Sequence, residues 1–163
     1  MKRASISSLF LLALGSAYAA PLTPGNIVVT RVGDGTAALA GIGTATFLDE
    51  YTPAGTLVQS IAIPSTGATA AVNSGTSTSE LILTYNDNKF AWLGYGADAG
   101  TTGIAATTNQ ATDAAPVNRV VVTVDMSGTV NTATRLLGVF SGNNGRSAVV
   151  SGTNVYVAGS GGA

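Results

Sequence analysis

Eight carboxylates are the only candidates for general acid–base work in this sequence: Asp34, Asp49, Glu50, Glu80, Asp87, Asp98, Asp113 and Asp125. The chain has no His and no Cys. Their absence removes Ser-His-Asp and Cys-His nucleophiles, zinc sites built on those ligands, haem-attachment motifs and disulfide frameworks. A glycosidase would need two carboxylates about 5–10 Å apart around a sugar. Asp49 and Glu50 are adjacent, but neighbours on a strand point to opposite faces and cannot flank one substrate together. A working pair would have to assemble from different strands. Asp87 and Asp125 fall at expected turns, where Asp is favoured for geometry alone. The sequence therefore assigns no catalytic residue.

Cofactor motifs fail on inspection. Lys occurs only at positions 2 and 89, so no phosphate-cradling Gly-x-x-x-x-Gly-Lys loop exists. Gly33-Asp34-Gly35 and Gly94-Tyr95-Gly96 lack the third glycine of a dinucleotide fingerprint. No Gly-x-Ser-x-Gly elbow is present. Asn86-Asp87-Asn88 is rich in oxygen ligands, yet no calcium loop or distal Glu completes it. No cofactor and no metal site follow. Trp92, Tyr95, Phe90, Tyr85 and Tyr156 could stack on sugar rings. Phe90 and Trp92 share one face of an expected strand, and aromatics at alternating positions are more often core than platform.

The elements that would position these groups read as strands. Apolar runs are short, rich in β-branched and aromatic residues, and bounded by Gly, Pro, Asn, Asp or Ser. Nine strands are predicted, at Ile27–Val32, Ala45–Tyr51, Leu57–Ile63, Glu80–Tyr85, Lys89–Tyr95, Asn118–Val124, Thr129–Leu136, Ser147–Ser151 and Asn154–Ala158. Thr52-Pro53-Ala54-Gly55, Asn86-Asp87-Asn88, Ser127-Gly128 and Ser151-Gly152 supply turn chemistry between them. No window of eleven or more residues after the leader sustains a helical period, so the fold class is all-β. Ser65–Ser79 and Asp98–Ala115 hold too little apolar bulk and are expected to be long exposed loops.

The strands echo one another. Tyr51–Ser60 lines up with Val124–Ala133 at an offset of 73, and Leu81–Tyr95 with Ser147–Ser160 at an offset of 65. A repeat of that length holding four strands suits one blade of a β-propeller.

Four runs also resemble a group of secreted bacterial proteins. They are Asn26–Leu39, Phe47-Leu48-Asp49-Glu50-Tyr51-Thr52-Pro53-Ala54-Gly55-Thr56-Leu57-Val58-Gln59-Ser60-Ile61, Val117–Val121 and Gly142–Ala148. The resemblance implies an extracellular, propeller-like repeat protein, of which this chain resembles an N-terminal portion. It transfers no catalytic residue. A propeller needs at least four blades, about sixteen strands, so the repeat domain, residues 20–163, is expected to be incomplete at its C-terminus. A small β-sandwich is the alternative architecture.

The first residues read as an export address. Lys2 and Arg3 form a positive n-region, Ile6–Leu14 is apolar apart from Ser7 and Ser8, and Ala17-Tyr18-Ala19 is the small-x-small pattern of a signal peptidase site. The expected signal peptide is residues 1–19, cut between Ala19 and Ala20. As a helix the apolar run would cover only about 14 Å of a hydrocarbon core of about 30 Å, too short to anchor the chain. No Cys follows it to carry a lipid. Beyond the cut, five cations face eight carboxylates and form no basic stripe, which argues against nucleic acid as a partner. Nothing later is apolar enough to span a bilayer.

The expectation is an exported structural or binding protein, secreted to the periplasm or the extracellular space. A carbohydrate or another surface protein is the partner class this leaves open. The alternative is a carboxylate-dependent carbohydrate-active enzyme with its site at a propeller mouth.

Overall fold

A computed structural model describes residues 19–77 and 81–161; Glu80 and residues 1–18 of the expected signal peptide lie outside them. β-branched runs between turn residues form the strands β1 (Ile27–Val32), β2 (Gly43–Thr44), β3 (Thr46–Tyr51), β4 (Leu57–Ala62) and β5 (Asn73–Ser74). They continue as β6 (Thr84–Asn86), β7 (Lys89–Tyr95), β8 (Arg119–Asp125), β9 (Val130–Leu136), β10 (Gly145–Ser151) and β11 (Asn154–Gly159). The helical elements among the described residues are single 3-10 turns such as Gly67–Thr69 and Ile104–Ala106. The fold is all-β.

All strand pairing within the sheets is antiparallel. β1, β3 and β4 make a three-stranded sheet, β6 to β9 a four-stranded meander, and β10–β11 and β2–β5 two-stranded sheets. The larger sheets stack. Leu48 and Ile61 of the first sheet meet Trp92, Val120, Val122 and Val124 on one face of the meander. On its other face Leu93 and Val121 meet Ala148 of β10, with Val155 and Val157 of β11 packed beside them. The meander is thus buried on both sides, so β8 reads Arg-Val-Val-Val-Thr-Val-Asp with almost no alternation.

β6 and β10 lie beside one another. Ile82 bridges Ser147 in the parallel sense. Thr84 Oγ1 donates to the Ala148 carbonyl at 2.5 Å and Asn86 Nδ2 to that of Val150 at 2.8 Å. These contacts link positions 64 or 65 residues apart.

The echo at an offset of 73 is one turn built twice. Gly55 N donates to Thr52 O at 2.8 Å, and Gly128 N to Asp125 O at 2.9 Å. Thr52 Oγ1 accepts from Thr56 N, and Asp125 Oδ1 from Thr129 N. Both glycines are left-handed, with φ of 83° and 82°. Their surroundings differ. A Cβ on Gly55 would meet open space, whereas one on Gly128 would lie 2.7 Å from Ala20 O and 2.9 Å from Ala19 Cβ. Gly55→Ala is therefore expected to cost about 1–2 kcal/mol of backbone strain. Gly128→Ala should cost at least about 1 kcal/mol more, because it also displaces the N-terminal segment. Urea titration of the two variants compares them directly.

Three expectations need correction. The predicted strand Glu80–Tyr85 shortens to Thr84–Asn86 within the described residues. Before Thr84 the chain leaves β7 and turns toward β10, where Ile82 finds its bridge. Second, Ser65–Ser79 is exposed only in part: residues 66–69 are exposed, whereas Ala70, Ala71, Val72, Asn73 and Ser74 are all buried, and residues 78 and 79 lie outside the described residues. Val72 exchanges backbone hydrogen bonds with Tyr95 at 2.9 and 2.8 Å. Asn73 accepts from Thr46 Oγ1 and donates to Leu93 O. Small side chains mark this segment because it passes close to other backbone, with Val72 O only 3.1 Å from where a Cβ on Gly94 would be. Third, Asp98–Ala115 is only partly exposed, since Ile104 and Asn109 are fully buried within it.

Candidate functional site

The structure places seven of the eight carboxylates, and each is engaged by a nearby amide, hydroxyl or guanidinium. Asp34 accepts from the Thr36 amide and hydroxyl, and Asp125 from the amides of Ser127 and Thr129. Asp87 accepts from Gly152 N, Asp98 from Gly67 N and Asp113 from Gln110 N. These hydrogen bonds hold turns or tie one segment to another. Serine and threonine hydrogen bonds hold Asp125 and Asp34 below the usual aspartate range.

Asp49 and Glu50 point to opposite faces of β3, as strand geometry demands. Asp49 lies on the face away from the meander, buried beneath its partners, paired with Arg31 Nε at 2.6 Å and with Ser60 Oγ at 2.5 Å. Glu50 faces the stacked sheets and is fully buried. Its Oε1 accepts from Thr23 N at 2.8 Å and Asn26 Nδ2 at 2.6 Å, and its Oε2 from Gln59 Nε2 at 2.7 Å. Burial is the largest single influence on both carboxyls and pushes them up. The combined hydrogen bonds, with the Arg31 charge at Asp49, outweigh it and hold both below their ordinary ranges. A depressed folded pKa contributes stability that is present above the unfolded value, about 4 for these groups. That stability is lost as pH falls through the folded value. Thermal melts should thus show the wild type losing stability below about pH 4.5, with Glu50→Gln giving a flatter acid limb. An unchanged acid limb in that variant would contradict the reading.

The aromatics divide sharply. Trp92 and Tyr95 are at most 1% exposed, whereas Tyr85 and Tyr156 are 53% and 58% exposed. Trp92 and Tyr95 are core, not platform. Tyr85 and Phe90 are cross-strand partners in the β6–β7 hairpin, with ring centroids 4.7 Å apart and planes tilted by 44°. The hairpin turns on Asp87 and Asn88, both left-handed, which the Asn-Asp-Asn sequence permits. Tyr85 Oη donates to Asn88 Oδ1 at 3.2 Å.

This ring pair walls a groove of about 770 Å³ at the mouth between the first two stacked sheets. Leu22, Pro24, Val28 and Met126 supply its other apolar surface, and Thr23, Asn26 and Asn88 its polar groups. No charged side chain lines it. The sequence singled out Tyr85 and Phe90, and Asn88 as part of a polar turn, but not Asn26 or the Leu22–Asn26 segment as a wall. Nothing local marks that segment as a wall, because only the docking of Leu22 against Met126, through a 2.9 Å backbone bond, brings it there. The groove can accept a neutral molecule with an apolar face to stack and hydroxyls to reach the amides. Among the described residues no three carboxylates converge as a metal site, and no helix is long and apolar enough to cross a membrane. Comparisons with protein-family models, curated proteins and solved structures give no match for this chain.

Proposed function

We propose that this chain is an exported β-repeat binding module, whose stacked sheets are successive blades of a propeller and whose groove takes a neutral carbohydrate. The observation that carries the binding reading is the division of labour around β6 and β7. The uncharged groove holds an exposed Tyr85 over Phe90 beside the Asn26 and Asn88 side chains, while each of the seven described carboxylates is engaged by hydrogen bonds within the fold. A sugar ring offers an apolar C–H face to an aromatic ring and hydroxyls to Asn side chains, and it needs no counter-charge.

The propeller reading is supported by the meander order of β6 to β9 and by the parallel juxtaposition of β6 with β10 one repeat further on. Adjacent blades of a propeller place equivalent inner strands side by side in this way. The export reading is supported by the residues at the proposed cut. A chain that begins at Ala20 keeps its place in the fold, with Gln59 bonding Ala20 in both directions and Leu22 buried in the core.

Affinity electrophoresis through gels containing neutral polysaccharides tests the groove. Retardation by at least one of them is expected for the wild type. Tyr85→Ala should weaken it by about tenfold, the worth of one lost ring contact of about 1.4 kcal/mol, with an unchanged melting temperature. Absence of retardation by every neutral polysaccharide would overturn the binding reading. Turnover of chromogenic glycosides that a carboxylate-to-amide change abolishes would replace it with the enzyme alternative.

A further inference from the structure

Glu50 is a carboxylate with no exposure to solvent, and its three close donors are all neutral: Thr23 N, Asn26 Nδ2 and Gln59 Nε2. No ion pair reaches it among the described residues, where the Arg31–Asp49 pair lies on the opposite face of β3. A buried carboxylate is ordinarily matched by a cation. The Gln59 side chain that holds Glu50 Oε2 at 2.7 Å also accepts from Ala20 N, at 3.1 Å through Oε1, and its Nε2 donates to Ala20 O at 3.0 Å. Ala20 N is the atom that the proposed signal cleavage would set free.

We propose that cleavage between Ala19 and Ala20 creates an α-ammonium that Gln59 and Glu50 capture, so that processing completes the charge balance of the fold. In that step a signal-type peptidase adds water across the Ala19–Ala20 peptide bond. The C–N bond breaks, the water oxygen becomes part of the Ala19 carboxylate, and the Ala20 nitrogen takes up protons as the ammonium. The inference rests on the export reading and is independent of the groove.

The geometry needs no rearrangement. An amide N–H already aimed at Gln59 Oε1 becomes an ammonium N–H on the same line, one amide group away from the Glu50 carboxylate. The segment is held from the other side by the β8–β9 turn, where Gly128 leaves no room for a side chain against Ala20 O. The charged group that reaches the nitrogen is Glu50 on β3, through Gln59 of β4; in the neighbouring β8–β9 turn Asp125 is held by Ser127 and Thr129, with Lys89 opposite it in the β7–β8 register. The Glu50 carboxylate, one amide group away, favours the protonated amine. Its folded pKa is therefore raised above the free value of about 7.7–8.0. The resulting stabilisation is fully present below that free value and is lost as pH rises through the folded one.

The test uses the chain beginning at Ala20, prepared with a free α-amine and with the same amine acetylated. The free-amine form should melt several degrees higher at pH 6 and no higher at pH 10. NMR titration of Ala20 should place its amine about half a unit or more above the free value. Glu50→Gln should abolish both effects. Gln59→Leu should do the same and stands in if the Glu50 variant does not fold. An amine that titrates at the free value, or equal melting of the two forms at pH 6, would overturn the capture. Mass determination of the exported protein checks the cut separately: a mature N-terminus other than Ala20 would overturn the processing assignment, whatever the carbohydrate gels show.

Discussion

Replacing Arg119 with Met is expected to remove about 4 kcal/mol of stability and to lower the melting temperature by about 10 °C for a chain of this size. Arg119 is only 1% exposed. Its Nη1 donates to Val117 O at 2.8 Å, and its Nη2 to Thr107 O and Phe140 O at 2.8 Å and Asn143 O at 3.0 Å. The guanidinium also lies 4.6 Å from the Tyr95 ring centroid. One side chain thus joins the 98–117 connection to the 137–144 connection, two segments with few strand bonds of their own. Met would fill the volume yet leave several carbonyls without their donor, each a desolvation cost of about 1–3 kcal/mol if buried. Arg119→Lys is the sharper comparison. An ammonium keeps the charge but is a point donor, and it cannot span four carbonyls on two connections as a planar fork does. It should recover less than half of the loss, as read by urea unfolding at pH 7. A Lys variant as stable as the wild type would show that charge, not the fork, holds these connections.

Trp92→Ala should cost about 3–5 kcal/mol. Trp92 is the largest fully buried side chain and sits where the first sheet meets the meander, among Leu48, Ile61, Val120 and Val122. Truncation removes contacts to both sheets at once, and the cavity cannot collapse without moving one sheet against the other. Trp92 Nε1 finds no acceptor among the described residues, so the native residue already bears the cost of a buried orphan donor. Trp92→Phe removes that donor while keeping a ring in place, and should cost less than half as much as the Ala variant. Trp92 is the only tryptophan, so the comparison is made by circular dichroism. Equal losses in the two variants would contradict the cavity account, since the volume that a phenyl ring retains would then contribute nothing to this contact.

Together these predictions describe one division of labour. Apolar side chains hold the sheets face to face, and fixed polar groups hold the connections between them. Arg119 and Asn73 bind carbonyls that no strand pairs. Asn109 does the same, with Nδ2 donating to Leu136 O and Val139 O at 2.9 Å. A chain without cysteine therefore ties its long connections with buried guanidinium and amide groups.

Local chemistry alone was enough for the strands and turns. Lys89–Tyr95 and Ile27–Val32 appear with the expected bounds, because β-branched and aromatic runs between turn residues have few other conformations open to them. Gly55, Gly128, Asp87 and Asn88 take the left-handed geometry their turns require. The opposite directions of Asp49 and Glu50 follow from the two-residue period of a strand. Burial was decided elsewhere. Ala70–Ser74 looks like a solvated linker until it is seen lying against β7, and Arg119 looks like a surface cation until two connections close over it. Ala20 meets Gln59 across 39 residues, and Asn86 meets Val150 across 64. Dihedral preferences are properties of neighbouring residues and are written in the order of the chain, whereas exposure, pairing of buried charge and the walls of a groove depend on which distant segments arrive beside a residue, and only packing of the sheets determines that.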